Sequence, residues 1–246
     1  MVTQGSLGYR TPRFAVLFLL PLIVACQSAP PAGEAAPPAA PAASAPAPSR
    51  GAPLFVVDSA ASEIRLLVYR AGPLARFGHN HVVTGLVHGE IRAGRTAAES
   101  GFRLEVPVES LVVDSAEARA EEGKEFAAEV SAQAREGTRD HMLGAEVLDA
   151  TRYPLIRIES ISLSGPRWNP TVLARTTLRG VTHELRFPAA VVQDGDRVTV
   201  IASLQIRQSD FGITPFAALG GGLRVRDEVD IRVRVVARHG PQPGSS

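Results

Sequence analysis

The feature that most constrains the fold is a two-residue hydrophobic period recurring over residues 54–237. Successive side chains of an extended strand point to opposite faces, so this period demands sheets with one buried face. Residues 63–70 (EIRLLVYR) put Ile64, Leu66 and Val68 on one face. Residues 81–91 put Val83, Val87 and Ile91 together, with Val82 and Leu86 opposite. Phe102, Leu104, Val106 and Val108 alternate with Arg103, Glu105, Pro107 and Glu109, and Pro107 predicts an edge or a bulge. Residues 155–163, 172–178, 184–192, 197–207 and 228–237 repeat the pattern. Asp194-Gly195-Asp196, between two such runs, reads as a hairpin turn. About eight such strands predict an all-β antiparallel sandwich or barrel.

One segment breaks the period. Residues 115–148 are rich in Ala and Glu and contain no Pro. They predict a helix over 116–135 and a shorter one over 140–148, with Asp114 and Ser115 as N-caps. A helical insertion between strands would cover one mouth of a barrel. It does not build a parallel βαβ sheet, which needs helices alternating with strands.

The N-terminal region has a different character. Arg10 and Arg13 precede an eleven-residue apolar run, residues 14–24 (FAVLFLLPLIV). That run is shorter than the roughly 20 residues that span a bilayer, so 1–25 reads as a secretory signal peptide. It ends in Ile23-Val24-Ala25-Cys26, which resembles the lipobox of bacterial lipoproteins. The resemblance implies cleavage before Cys26 and acylation of that residue, placing the chain on the periplasmic face of the bacterial outer or inner membrane. Residues 27–53 hold eight Pro and eleven Ala, with Glu34 and Arg50 the only charges. Residues 26–53 therefore read as the cysteine whose lipidation the resemblance implies, followed by a spacer that cannot bury a core. Residues 238–246 read as a disordered tail.

Charge and motifs exclude several function classes. Beyond the signal segment, 24 basic residues balance 25 acidic ones, without the excess a nucleic-acid binder needs. Cys26 is the single cysteine, so no intrachain disulfide or thiolate metal site is expected. Nucleophile-elbow, phosphate-loop and dinucleotide fingerprints are missing, and Gly220-Gly221-Gly222 lacks the Lys-Ser/Thr that cradles phosphate. The chain reads as a binding protein, not an enzyme. His79 and His81 stand two apart and share a face if they lie in a strand. With His141, beside Asp140 in the insertion, they form a possible divalent-metal set.

Four motifs in order carry a family resemblance. Arg152-Tyr153-Pro154 with Ile156-Arg157-Ile158-Glu159-Ser160 resembles the Y-P-x-I-x-F-x-S strand of the YceI-like lipid-binding family. Leu178-Arg179-Gly180-Val181-Thr182-His183 is similar to its L-T-x-x-G-V-T strand and turn. Arg207-Gln208-Ser209-Asp210-Phe211-Gly212-Ile213, with Val225, Asp227, Val229 and Ile231 beyond, resembles its R-x-D-F-G-I and V-x-D-x-V-x-I close. Arg139-Asp140-His141-Met142 followed by Val147-Leu148-Asp149 resembles its R-D-x-H-L and F-F-D region. The Gly78-His79-Asn80-His81 string departs from the family pattern and looks like a distinct branch. The resemblance implies an eight-stranded antiparallel lipocalin-like barrel holding a polyisoprenoid or isoprenoid-quinone tail, with an apolar lipid as partner. The inward-facing candidates to line such a ligand are Leu66, Val68, Phe102, Leu104, Val106, Ile156, Ile158, Leu204, Ile206 and Phe211. The alternative is a metal-binding or redox-accessory periplasmic protein using His79 and His81.

Overall fold

The computed structural model describes residues 51–239. The expected signal peptide, Cys26 and nearly all of the spacer lie outside the described residues. The strands are β1 (Leu54–Val57), β2 (Glu63–Ala71), β3 (His81–Gly85), β4 (His88–Arg92), β5 (Gly101–Pro107) and β6 (Val112–Val113). They continue as β7 (Leu155–Ser164), β8 (Thr171–Leu178), β9 (Val181–Asp194), β10 (Arg197–Arg207), β11 (Ala217–Ala218) and β12 (Leu223–His239). Hydrogen bonding runs β1-β4-β5-β7-β8-β9-β10-β12, and β12 pairs back to β1, so the sheet closes on itself.

Of the remaining segments, β11 pairs only with β12, and β2, β3 and β6 complete three of these strands. β12 pairs with β1 at Ala237↔Val57 and with β2 at Arg234↔Glu63, so β1 and β2 are one strand interrupted by the 3-10 turn Ser59–Ala61. β3 pairs with β2 as β4 pairs with β1, and β6 pairs with β3 as β5 pairs with β4. Each split strand counts once. The result is an eight-stranded up-and-down antiparallel barrel whose neighbours in space are neighbours in sequence, and closure removes the sticky edges of an open sheet. Pro107 therefore lies at no edge. Its strand stops there and enters the 3-10 turn Val108–Ser110 before resuming as β6.

Turn chemistry follows the sequence. β9 and β10 are joined by Gly195-Asp196, with Gly195 at φ 56°. β8 and β9 are joined by Arg179-Gly180, at φ 51° and 75°, as the tight turn of a right-twisted hairpin requires. A Cβ on Gly180 would sit 2.6 Å from the Tyr153 ring, so no larger residue fits under that ring. Two of the family-like motifs thus meet in space.

The helical insertion differs from expectation. It forms α1 (Ala116–Glu121), a 3-10 turn at Lys124–Phe126, and α2 (Ala132–Leu143). Gly123, at φ 75°, ends the first helical stretch, and Ser131 caps the second by accepting from the Ala134 N–H. Ser115 caps α1, and Asp114 does not. Nor does the insertion simply cover a mouth. Ala118 and Phe126 bury Leu67 and Val82 on the outer face of β2 and β3. Met142, Leu143, Val147, Leu148 and Ala150 join the core cluster that also holds Phe211 and Ile213, where β6 ends and β7 and β11 begin. That end of the barrel is plugged. The opposite end carries the β4–β5, β7–β8 and β9–β10 connections, and the chain enters there, with Pro53 C=O accepting from Ala93 N–H at 3.0 Å. β12 runs through His239, two residues past the expected boundary at Ala237.

Candidate functional site: an apolar barrel cavity and a histidine cluster

The inward faces leave space between them. A cavity of about 140 Å³ is walled by residues of nearly every strand, including Ile64, Leu66, Phe102, Leu104, Val106, Ile156, Ile158, Leu185, Phe187, Leu204, Ile206 and Val233. A dry apolar cavity of about this size binds a benzene-sized group. Toward the open end a second space of about 360 Å³ shares Ile91, Phe102, Val172, Ala189 and Val200 with the first, and adds Leu163, Trp168, Val191, Arg92, Arg167 and Gln193. The volume near the mouth alone falls within the 300–1,000 Å³ typical of ligand pockets. Eight strands are the number whose interior side chains either fill or can spare room for one small ligand.

The inner wall holds one polar side chain, Thr176. It is 8% exposed and its Oγ1 has no hydrogen-bond partner. An unsatisfied buried hydroxyl costs about 1–3 kcal/mol, so this atom is a place where a ligand or water oxygen would be gained cheaply. Trp168 stands at the mouth, 69% exposed.

Leu66, Phe102, Leu104, Val106, Ile156, Ile158, Leu204 and Ile206, picked out by period two, all line the inner cavity. Val68 packs against the core below it, and Phe211 is fully buried in the plug, edge-on to His183 at 5.1 Å. Neither is part of the wall. Wall residues missing from the sequence reading include Leu185, Phe187 and Thr176. Leu185 and Phe187 lie in a run read as strand, and their alternation with Glu184 and Arg186 was the available signal.

The two histidines converge, although only His81 lies in a strand and His79 belongs to the segment just before β3. The His79 and His81 rings meet edge-on at 4.5 Å between centroids. His81 Nδ1 lies 2.7 Å from Asp114 Oδ2. Asp114 is completely buried, and its Oδ1 accepts from Arg119 Nη1 at 2.6 Å and from Val82 N–H at 2.9 Å. Arg119 also donates to the carbonyls of Asn80, Phe126 and Ala128, clamping the insertion to β3. Burial pushes the Asp114 carboxyl up, but the hydrogen bonds from His81 and Val82 outweigh it and hold the group below the usual carboxylate range. Burial, then the neighbouring His81, pulls the His79 imidazole below its usual value and favours the neutral ring. His141 is not in this group; its ring packs edge-on to Phe216 at 5.1 Å. Asp114 takes the third place instead. Sequence reasoning read it as a helix cap, because nothing local ties it to a histidine 33 residues earlier.

A closed eight-stranded up-and-down barrel with an apolar interior open at one end defines a lipocalin-like architecture. The YceI-like domain family matches residues 55–237, and the chain belongs to that family. Among solved structures, BcnA of Burkholderia cenocepacia is similar at 18% identity and TM-score 0.53, covering 74% of this chain and 99% of its own. A YceI protein of Campylobacter jejuni is similar at 14% identity and TM-score 0.45, covering 63% of this chain and 82% of its own. No curated protein matches the chain by sequence.

Proposed function

We propose that this protein is a membrane-anchored, periplasmic lipid-binding protein that holds or carries one apolar chain, a polyisoprenoid or isoprenoid-quinone tail, inside its barrel. The observation that carries this reading is the apolar wall of the inner cavity, five of whose residues also line the larger space at the open end of the barrel. Removing apolar surface from water at about 25 cal/mol per Å² supplies the affinity, and a tail without charge needs no ionic partner. The inner 140 Å³ admits the end of one chain, while the mouth accommodates the following units. The anchor reading rests on the Ile23-Val24-Ala25-Cys26 string. The spacer joins the barrel at its open end, through Pro53. Cys26→Ser should leave the protein in the aqueous phase after detergent phase separation; partitioning like the wild type contradicts the anchor.

Trp168 is the only tryptophan of the chain and stands at the mouth, so it reports ligand entry directly. Titration with a short isoprenoid alcohol should shift its emission to the blue and saturate near one equivalent. A quinone carrying the same tail should quench it. An emission unchanged by both removes the proposal.

A further inference from the structure

We propose that His79, His81 and Asp114 form a binding site for one divalent transition-metal ion of the zinc, copper or nickel class, at the plugged end of the barrel and separate from the lipid cavity. One donor atom from each of the three residues lies within 4.8 Å of the other two. A zinc ion bonded to nitrogen and oxygen at about 2.0–2.1 Å holds its ligands roughly 3.3 Å apart, so small side-chain rotations suffice.

Three further features fit a metal. First, His79 Nε2 is buried and has no hydrogen-bond partner. A buried unpaired nitrogen is a cost that coordination would remove. Second, the carboxylate is already divided between two tasks. Arg119 and the Val82 N–H occupy Oδ1, and Oδ2 faces His81. Oδ2 therefore keeps a lone pair for an ion without giving up the clamp on the insertion. Third, the carboxylate is held rigidly in place by a buried guanidinium, the outer-shell support that metal ligands ordinarily have.

The site draws its parts from different places in the chain. His79 belongs to the turn before β3, His81 is the first residue of β3, and Asp114 follows β6 directly. β3 pairs with β6 at Val83↔Val113, which is what brings the histidines to the carboxylate. The same pairing lets α1 supply Arg119 five residues later. An ion there would tie the insertion to the barrel wall. The positive neighbours are Arg119, whose Nη1 and Nη2 each make two hydrogen bonds, and Arg70, which donates to the Gly78 carbonyl.

The test uses the full chain carrying Cys26→Ser, which removes the only thiol that could bind metal by itself. After chelator treatment, calorimetric titration with zinc chloride should give one site per chain and a raised melting temperature, since an ion that binds only the folded state stabilises it. His79→Gln and His81→Gln should each weaken zinc binding by tenfold or more, whereas His183→Gln, on an exposed histidine, should leave it unchanged. Cobalt(II) titrated into the unsubstituted site should give d–d absorption that saturates at one equivalent and is displaced by zinc, which decides the matter even if a histidine variant fails to fold. No saturable site, no cobalt spectrum, or binding unchanged in folded His79→Gln and His81→Gln proteins overturns the proposal. These outcomes are independent of whether the barrel carries lipid.

Discussion

Leu104→Trp separates a lined cavity from a filled interior. Leu104 lies in the wall of β5, opposite Gly89 on one side and Ile158 on the other, and its side chain borders the 140 Å³ cavity. The indole adds roughly the bulk of one isoprene unit. A ligand that loses burial of one such unit, five carbons at about 0.8 kcal/mol each, gives up about 4 kcal/mol, or roughly a thousandfold in affinity. The substituted protein fills space that was empty and should melt close to the wild type. A packed core overfilled in the same way would lose about 1–3 kcal/mol, a fall of roughly 2–12 °C for a domain of this size. Two measurements decide: the lipid retained through purification, by extraction and mass spectrometry, and the melting temperature by circular dichroism. Lipid lost with the melting temperature held is the expected pair. A fall of many degrees with lipid content unchanged would show that Leu104 packs against its neighbours and that the cavity argument is wrong.

Thr176→Val removes an unsatisfied hydroxyl from the same wall and should stabilise the ligand-free barrel by about 1–3 kcal/mol in urea denaturation; a loss of stability would mean that Oγ1 has a partner. Arg119→Ala leaves the fully buried Asp114 carboxylate without its guanidinium and should cost about 3–5 kcal/mol, with proteolysis opening the insertion around residues 120–131 before the barrel. A cost near zero would mean that water reaches the carboxylate. Asp227 accepts from both the hydroxyl and the N–H of Ser209, which hold its carboxyl below the ordinary range. A depressed folded value means the stabilisation is present above the unfolded Asp value of about 3.9 and is lost as pH falls through the folded one. Carboxyl NMR should place its titration below about 3.9 and move it upward in Ser209→Ala; an unshifted titration contradicts the hydrogen bonds.

Much of the fold was legible because a half-buried strand must alternate. β2, β5, β7, β8 and β10 lie within one or two residues of their expected limits. Closure was not legible. It depends on β12 pairing with β1 at the far end of the chain, a contact that only the family resemblance anticipated. The helices were misread because Ala and Glu favour helix equally throughout 115–148, and the break is set by Gly123 and by the packing of Phe126 on Tyr69, with rings 5.7 Å apart. Wall residues were readable in proportion to how cleanly their strands alternate. Phe211 breaks the rule: it lies in the 3-10 turn after β10, where period two no longer fixes direction. The His79–His81 pair was visible as spacing, whereas Asp114 required the β3–β6 register.

The central claim is that the barrel holds an apolar lipid, and the most direct measurement is the content of the protein as cells make it. The full chain, purified in mild detergent from the cells that make it, should release close to one equivalent of an isoprenoid-tailed lipid on extraction into organic solvent, identified by mass spectrometry. The Leu104→Trp protein, prepared in parallel, should release far less. Wild-type protein that carries no lipid, or carries only the bulk membrane lipids in the same proportion as the variant, would contradict the account.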